Sequence, residues 1–271
     1  LRTIQTSGFA PVKLKVLKKM AKLERLSDID MVKLQRSAMI DPFAPNPSIE
    51  AIVHAVIPFK YVDHTHADAV VAISNNKKRS ELIRKIFNDK ILIVPYIKTG
   101  FMLAKKVYEM TRNINWHEIE GIIMMNHGVF TFSDDAKTSY KQMIHLVSLA
   151  ENYLQATGAF DSIVRAEAKE DLLTLAEIRK QVSLTKGSAM IARLDNRPEA
   201  CGFANLTNID LIATRGPLTP DHVLRTKQIP VIIKKDIEKE ITGFCLAYKE
   251  YFQRNTDSPC SRTVAAGGQL L

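Results

Sequence analysis

Between residues 59 and 156 short apolar runs alternate with stretches of helical periodicity, and this alternation constrains the fold more than any other feature. The pattern predicts strands over 59–64, 91–95, 120–125 and 129–132, and helices over 67–74, 79–87, 100–113 and 134–156. Short strands interleaved with amphipathic helices hide their apolar faces by stacking in layers, so the expected class is α/β, a central β-sheet flanked by helices. Upstream, 11–26 and 28–39 read as two helices, and Asp41-Pro42-Phe43-Ala44-Pro45-Asn46-Pro47 as a rigid connector. A charged stretch from Arg165 to Asp171 opens a second mixed pattern, with helices over 172–182, 197–204, 219–227 and 236–253 and strands over 188–194 and 229–233. The expected organisation is a first domain over 1–160, a C-terminal α/β extension over 161–255 and a disordered tail over 256–271.

Two of the strands run into histidine. In Tyr61-Val62-Asp63-His64-Thr65-His66 the two imidazoles are one residue apart, and side chains at i and i+2 of an extended backbone share a face. His64 and His66 can therefore aim at one point. The apolar run from Gly121 to Met125 leads into Asn126-His127-Gly128, a third imidazole at a strand end beside a flexible glycine. Three neutral imidazoles with an open fourth position describe a catalytic zinc site, although the same spacing also suits hydrogen-bonded strand histidines. Asp63 is a candidate partner for a ligating ring. His117 and His145, in polar helical surroundings, read as structural.

The fourth element lies before the first strand. Ser48 reads as an N-cap, with Ile49, Ile52, Val53 and Val56 as the buried stripe of the next helix, which puts Glu50 in its first turn. A carboxylate there either complements the helix dipole or serves as a general acid/base beside a metal. Further on, Thr219 as N-cap and Pro220 at the first helical position mark a helix start within Thr214–His222. That segment is either a well-made loop and cap or a substrate-contacting lid carrying Arg215 and His222.

At 271 residues, 46% hydrophobic and 25% charged, the chain is ordinary for a soluble globular protein of one or two domains. It has no apolar run of about eighteen residues and no signal-peptide layout, so no membrane association and a cytoplasmic location are expected. Cys201, Cys245 and Cys260 are too scattered for a disulfide framework or a cysteine zinc site. The formal charge of +9 is spread along the chain without interleaved aromatics. No nucleic-acid partner is expected from it, and a positive field suits an anionic small-molecule substrate.

Taken together, the block from Pro47 to Ala55, the block from Val62 to Asn75 and the block from Gly121 to Phe132 resemble the class II aldolase/adducin family. The resemblance implies an aldolase-like metal-binding domain with Zn²⁺, or another divalent metal, on His64, His66 and His127. It also implies that Glu50 is the catalytic acid/base or an additional metal contact. The segments Thr6–Val12, Asp41–Glu50 and Ala213–Lys227 look like the aldolase half of bifunctional rhamnulose-1-phosphate aldolase/lactaldehyde dehydrogenase proteins. That likeness implies cleavage of a ketose 1-phosphate to dihydroxyacetone phosphate and lactaldehyde, a fused dehydrogenase domain, and a homo-oligomer, in the family a tetramer. Epimerases and dehydratases of sugar phosphates share the same metal site, and adducin-like members keep the fold without the chemistry. The family's glycine-rich phosphate-holding segments would lie upstream of Leu1, so a piece of a longer protein is expected, and Ser7-Gly8 reads as a turn. Helix 134–156, with Met143, Ile144 and Val147, reads either as core or as a subunit interface.

Overall fold

The structure, a computed structural model, describes residues 5, 8–161, 163–169 and 171–255. Ser7, Cys260 and the expected tail over 256–271 lie outside the described residues. The chain divides into two compact units, Leu1–Thr157 and Gly158–Leu271.

The first unit is built on β1 (Tyr61–Thr65), β2 (Ile91–Val94), β3 (Gly121–Met124) and β4 (Gly128–Ser133), in the spatial order β1-β4-β3-β2. β4 runs antiparallel to both β1 and β3, and β2 is parallel to β3. Every residue of β3 is buried, because helices cover both faces of the sheet. Ile122, Met124, Phe130 and Phe132 join one core with α1 (Leu14–Met20), α3 (Ala51–Val56) and α6 (Phe101–Thr111). Ile123, Met125 and Val129 join another with α4 (Asp68–Ser74), α5 (Arg79–Phe87) and α7 (Ala136–Ala156). This period-two division is the pleat expressed in the sequence.

The first predicted helix is shorter than expected. It ends at Met20, where Lys22 and Leu23 donate to carbonyls three residues back and tighten the chain into a turn, although Leu26 still packs against the core. α2 (Asp28–Ser37) does more than cover the sheet. Its Asp28 carboxylate accepts the Phe101 N–H at 2.9 Å and so caps α6 from another helix. Gly100 makes this possible. Its φ is +135°, and a Cβ there would lie 2.4 Å from the Asp28 carboxylate oxygen.

Polar contacts fasten α7 to the sheet. Buried Ser139 donates to Asp63 Oδ2 at 2.6 Å, while Thr131 Oγ1 donates to the Ser139 carbonyl at 3.0 Å. Asp63 therefore faces α7, on the side of β1 opposite His64, and does not serve as the partner of a ligating imidazole. The buried residues of α7, Met143, Leu146 and Ala150, belong to the core, whereas Tyr140 and Ile144 are exposed.

In the second unit, α8 (Leu172–Lys186) is capped by Asp171, which accepts from Thr174 N, and ends at left-handed Gly187. α9 (Pro198–Ala204), α10 (Ile209–Ala213), α11 (Pro220–Arg225) and α12 (Ile237–Arg254) follow. The mixed α/β class rests on the first unit. The strands expected over 188–194 and 229–233 are not formed, and α10 was not anticipated. β-propensity describes fit to a pleated, half-buried surface, and Ile191, 94% exposed, has no such surface to meet.

Gly100→Ala should destabilise the protein by about 1–3 kcal/mol, from a φ that alanine rarely adopts and from collision with the α6 cap. Urea unfolding of the variant measures this, and an unchanged midpoint would show that the cap relaxes freely.

Candidate metal centre

Antiparallel pairing brings the end of β1 beside the start of β4, with Thr65 opposite Val129 and His64 opposite Phe130. β4 leaves β3 through the tight connection Met125-Asn126-His127, so His127 sits at the tip that the end of β1 approaches. Glu50 arrives from the other side, at the N-cap of α3 rather than in its first turn. Its side chain makes no capping hydrogen bond. Ser48 is not that helix's cap either; its hydroxyl accepts from Glu50 N at 3.2 Å and lies 3.5 Å from Glu50 Oε2.

The result is one cluster of four side chains, Glu50, His64, His66 and His127, whose potential ligand atoms all lie within 4.8 Å of one another. His64 Nε2 and His66 Nε2 are 2.9 Å apart, and His127 Nε2 lies 2.7 Å from Glu50 Oε1. Glu50 Oε2 is 3.5 Å from His64 Nε2, and Oε1 is 3.9 Å from His66 Nε2. His127 is 4% exposed, and despite its short approach to Glu50 its Nε2 has no hydrogen-bond partner of acceptable direction. A tetrahedral ion with bonds of roughly 2.0–2.1 Å holds its ligands about 3.3 Å apart, close to the spacings here. Three imidazoles and one carboxylate fit a divalent cation of the zinc type.

The surroundings prepare these ligands. His64 Nδ1 lies 3.0 Å from the Val129 carbonyl. A carbonyl can only accept, so Nδ1 carries the proton and Nε2 presents its lone pair to the cluster. The same ring stacks on Phe130, with centroids 3.9 Å apart and planes 14° from parallel. Burial, aided by the neighbouring His66 and His127 rings and opposed by Glu50 and the Val129 hydrogen bond, lowers the His64 pKa to about 3. It is thus a neutral imidazole at neutral pH, the form that can bind a metal. For Glu50, burial raises the pKa but is outweighed by His127, His66 and His64, which hold the carboxyl well below its ordinary range. Burial also lowers His54, which packs edge-on against Phe130 at 5.2 Å and stands outside the four-residue group.

Gly128 contributes space rather than flexibility. A Cβ there would lie 2.4 Å from the Thr65 carbonyl oxygen, 3.0 Å from His66 and 3.1 Å from His64. His117 and His145 are exposed and outside the cluster. Arg215 and His222 belong to the second unit. There Thr219 Oγ1 accepts from His222 N at 3.4 Å and lies 2.7 Å from its Nδ1, while Arg215 is exposed. The sequence offers no local signal for the Val129 carbonyl, the Phe130 stack or the crowding at Gly128, all of which arise from strand pairing.

With this geometry in view, residues 13–154 match the model of the class II aldolase and adducin N-terminal domain, over half of the chain, and residues 168–266 match that of the class II aldolase second domain. The chain belongs to the class II aldolase/adducin family. The solved N-terminal class II aldolase domain of a conserved protein from Thermoplasma acidophilum is 37% identical, with a TM-score of 0.52 over 56% of this chain and 69% of that one. The uncharacterized oxidoreductase YuxG of Bacillus subtilis (strain 168) is 28% identical across 94% of this chain. The chain spans 40% of that relative's length. Among the described residues no helix is long and apolar enough to cross a membrane.

Elemental analysis of purified protein should find about one divalent metal per chain, lost in His127→Ala. A metal content unaffected by that substitution would refute the cluster as the binding site. The metal-free protein should also lose stability on acidification. Free histidine titrates near 6.5 and His64 near 3, so between these values the unfolded chain holds a proton that the folded chain lacks. Stability then falls as pH drops from about 6.5, by up to about 1.4 kcal/mol per pH unit for this one proton. Denaturant titrations at pH 7 and pH 5 should show a smaller difference in His64→Gln than in the wild type.

Proposed function

We propose that this chain is a metal-dependent carbon–carbon lyase that cleaves a ketose 1-phosphate by retro-aldol reaction. The observation that carries the reading is the cluster of three histidines and one glutamate, whose potential ligand atoms all lie within 4.8 Å of one another. His64, His66 and His127 would hold the ion, with Glu50 as a fourth ligand that can give way to substrate. A bound Zn²⁺ supplies Lewis-acid polarisation of the substrate carbonyl. In the cleavage, the bond between the carbons α and β to that carbonyl breaks. Its electron pair stays on the α carbon, and the β hydroxyl gives its proton to the Glu50 carboxylate as that carbon becomes an aldehyde. Glu50, already poised among the imidazoles, returns a proton to the α carbon, and the reverse reaction begins with its removal.

The finer assignment, rhamnulose 1-phosphate to dihydroxyacetone phosphate and lactaldehyde, is supported by the segments Asp41–Glu50 and Ala213–Lys227. In this reading Arg215 and His222 contact substrate, and the subunits assemble as a homo-oligomer. The relative named as an oxidoreductase, of which this chain matches 40%, supports a companion proposal that a dehydrogenase portion acts on the released aldehyde.

Glu50→Gln should retain the bound metal while lowering cleavage of rhamnulose 1-phosphate by roughly 10²–10⁴-fold, followed as dihydroxyacetone phosphate release. Unchanged turnover would remove Glu50 from the proton transfer and leave it a metal contact alone.

A further inference from the structure

In the sequence Arg79 closes a basic run, Lys77-Lys78-Arg79, of the kind that lines solvated helix faces. In the fold it is half-buried at the start of α5, and its Nη1 donates to Asn126 Oδ1 at 2.9 Å, across 47 residues of chain. Two further bonds converge on Asn126 from the end of α4. Its backbone N–H donates to Ser74 Oγ at 3.2 Å, and its side-chain amide donates to Asn75 Oδ1. Ser74 is fully buried, and its own hydroxyl proton is directed to the Val71 carbonyl at 3.1 Å, which leaves its lone pairs for Asn126.

Asn126 has a φ of +59°. Left-handed backbone is unfavourable for residues with a side chain, and asparagine is among the few that tolerate it. Where only the conformation mattered, glycine would serve at no steric cost. The side chain here is instead bonded at both its oxygen and its nitrogen. Asn126 immediately precedes His127, so its dihedral angles fix the direction in which the His127 side chain leaves the connection between β3 and β4.

We propose that Arg79, acting through Asn126, is a positioning residue for His127, and that the Ser74–Asn75–Arg79 clamp presets the third imidazole for the metal. This inference rests on reading the four-residue cluster as a metal centre. It requires nothing of the substrate. The guanidinium suits the task because its planar fork holds a fixed direction to the amide oxygen, whereas a lysine ammonium is a swivelling point charge. Partners that orient a ligand in this way typically govern metal affinity by about 10–100-fold.

The test is titration of the metal-stripped full chain with Co²⁺, followed by the visible absorption of the bound ion. Arg79→Ala should weaken Co²⁺ binding by about 10–100-fold and alter the absorption bands that report coordination geometry, with the far-ultraviolet circular dichroism unchanged. Arg79→Lys should recover part of the affinity. Asn126→Gly keeps the left-handed backbone and deletes both side-chain bonds, so it should weaken binding as well. Wild-type affinity and spectrum in Arg79→Ala, or in Asn126→Gly, overturn the clamp while leaving the metal centre in place. Wild-type protein that takes up no Co²⁺ overturns the metal centre and the clamp together.

Discussion

The antiparallel pairing of β1 with β4 is the interaction on which the site depends. His64 and His66 are far from His127 in sequence, and nothing local draws them together. Register does. With Thr65 opposite Val129, the end of β1 meets the tip of the β3–β4 connection, and the same register supplies the Val129 carbonyl to His64 Nδ1 and the Phe130 ring beneath it. A slip of one residue would turn His64 toward α7 and put Asp63 in its place. The Asp63–Ser139 hydrogen bond on the opposite face guards against that slip, since it exists in one register only.

Much of the first unit was legible because its sequence patterns are strong and mutually consistent. The four strands and the helices over residues 67–156 follow from periodicity, and the His64–His66 spacing on one face follows from the pleat. What escaped was set by tertiary context. Glu50 was legible as a residue near a helix start, but that its carboxylate turns away from the helix toward three imidazoles depends on where β1 lies. Asp63 was misplaced for the same reason, since adjacency to a ligand in a strand means the opposite face. The role of Gly128 is a matter of what stands 2.4–3.1 Å away across the sheet, which no window of neighbouring residues contains. Arg79 lay hidden in a basic run whose composition suggested only solvent.

The second unit shows the converse. Its capping residues, Asp171, Thr219 and Asp236, work within three residues, and Thr219 caps its helix as the sequence suggests. Its apolar runs over 188–194 and 229–233 have the look of strands, yet a strand exists only with a ladder partner. Local chemistry is read reliably there, and pairing is not.

All four side chains of the candidate centre, from Glu50 to His127, come from the first unit, and every contact described as orienting them lies within it as well. The centre is in this sense portable. Sequence beyond Thr157 can drift, lengthen or be exchanged without removing a single donor atom. Changes confined to that later sequence would act on what surrounds the cluster and not on its composition.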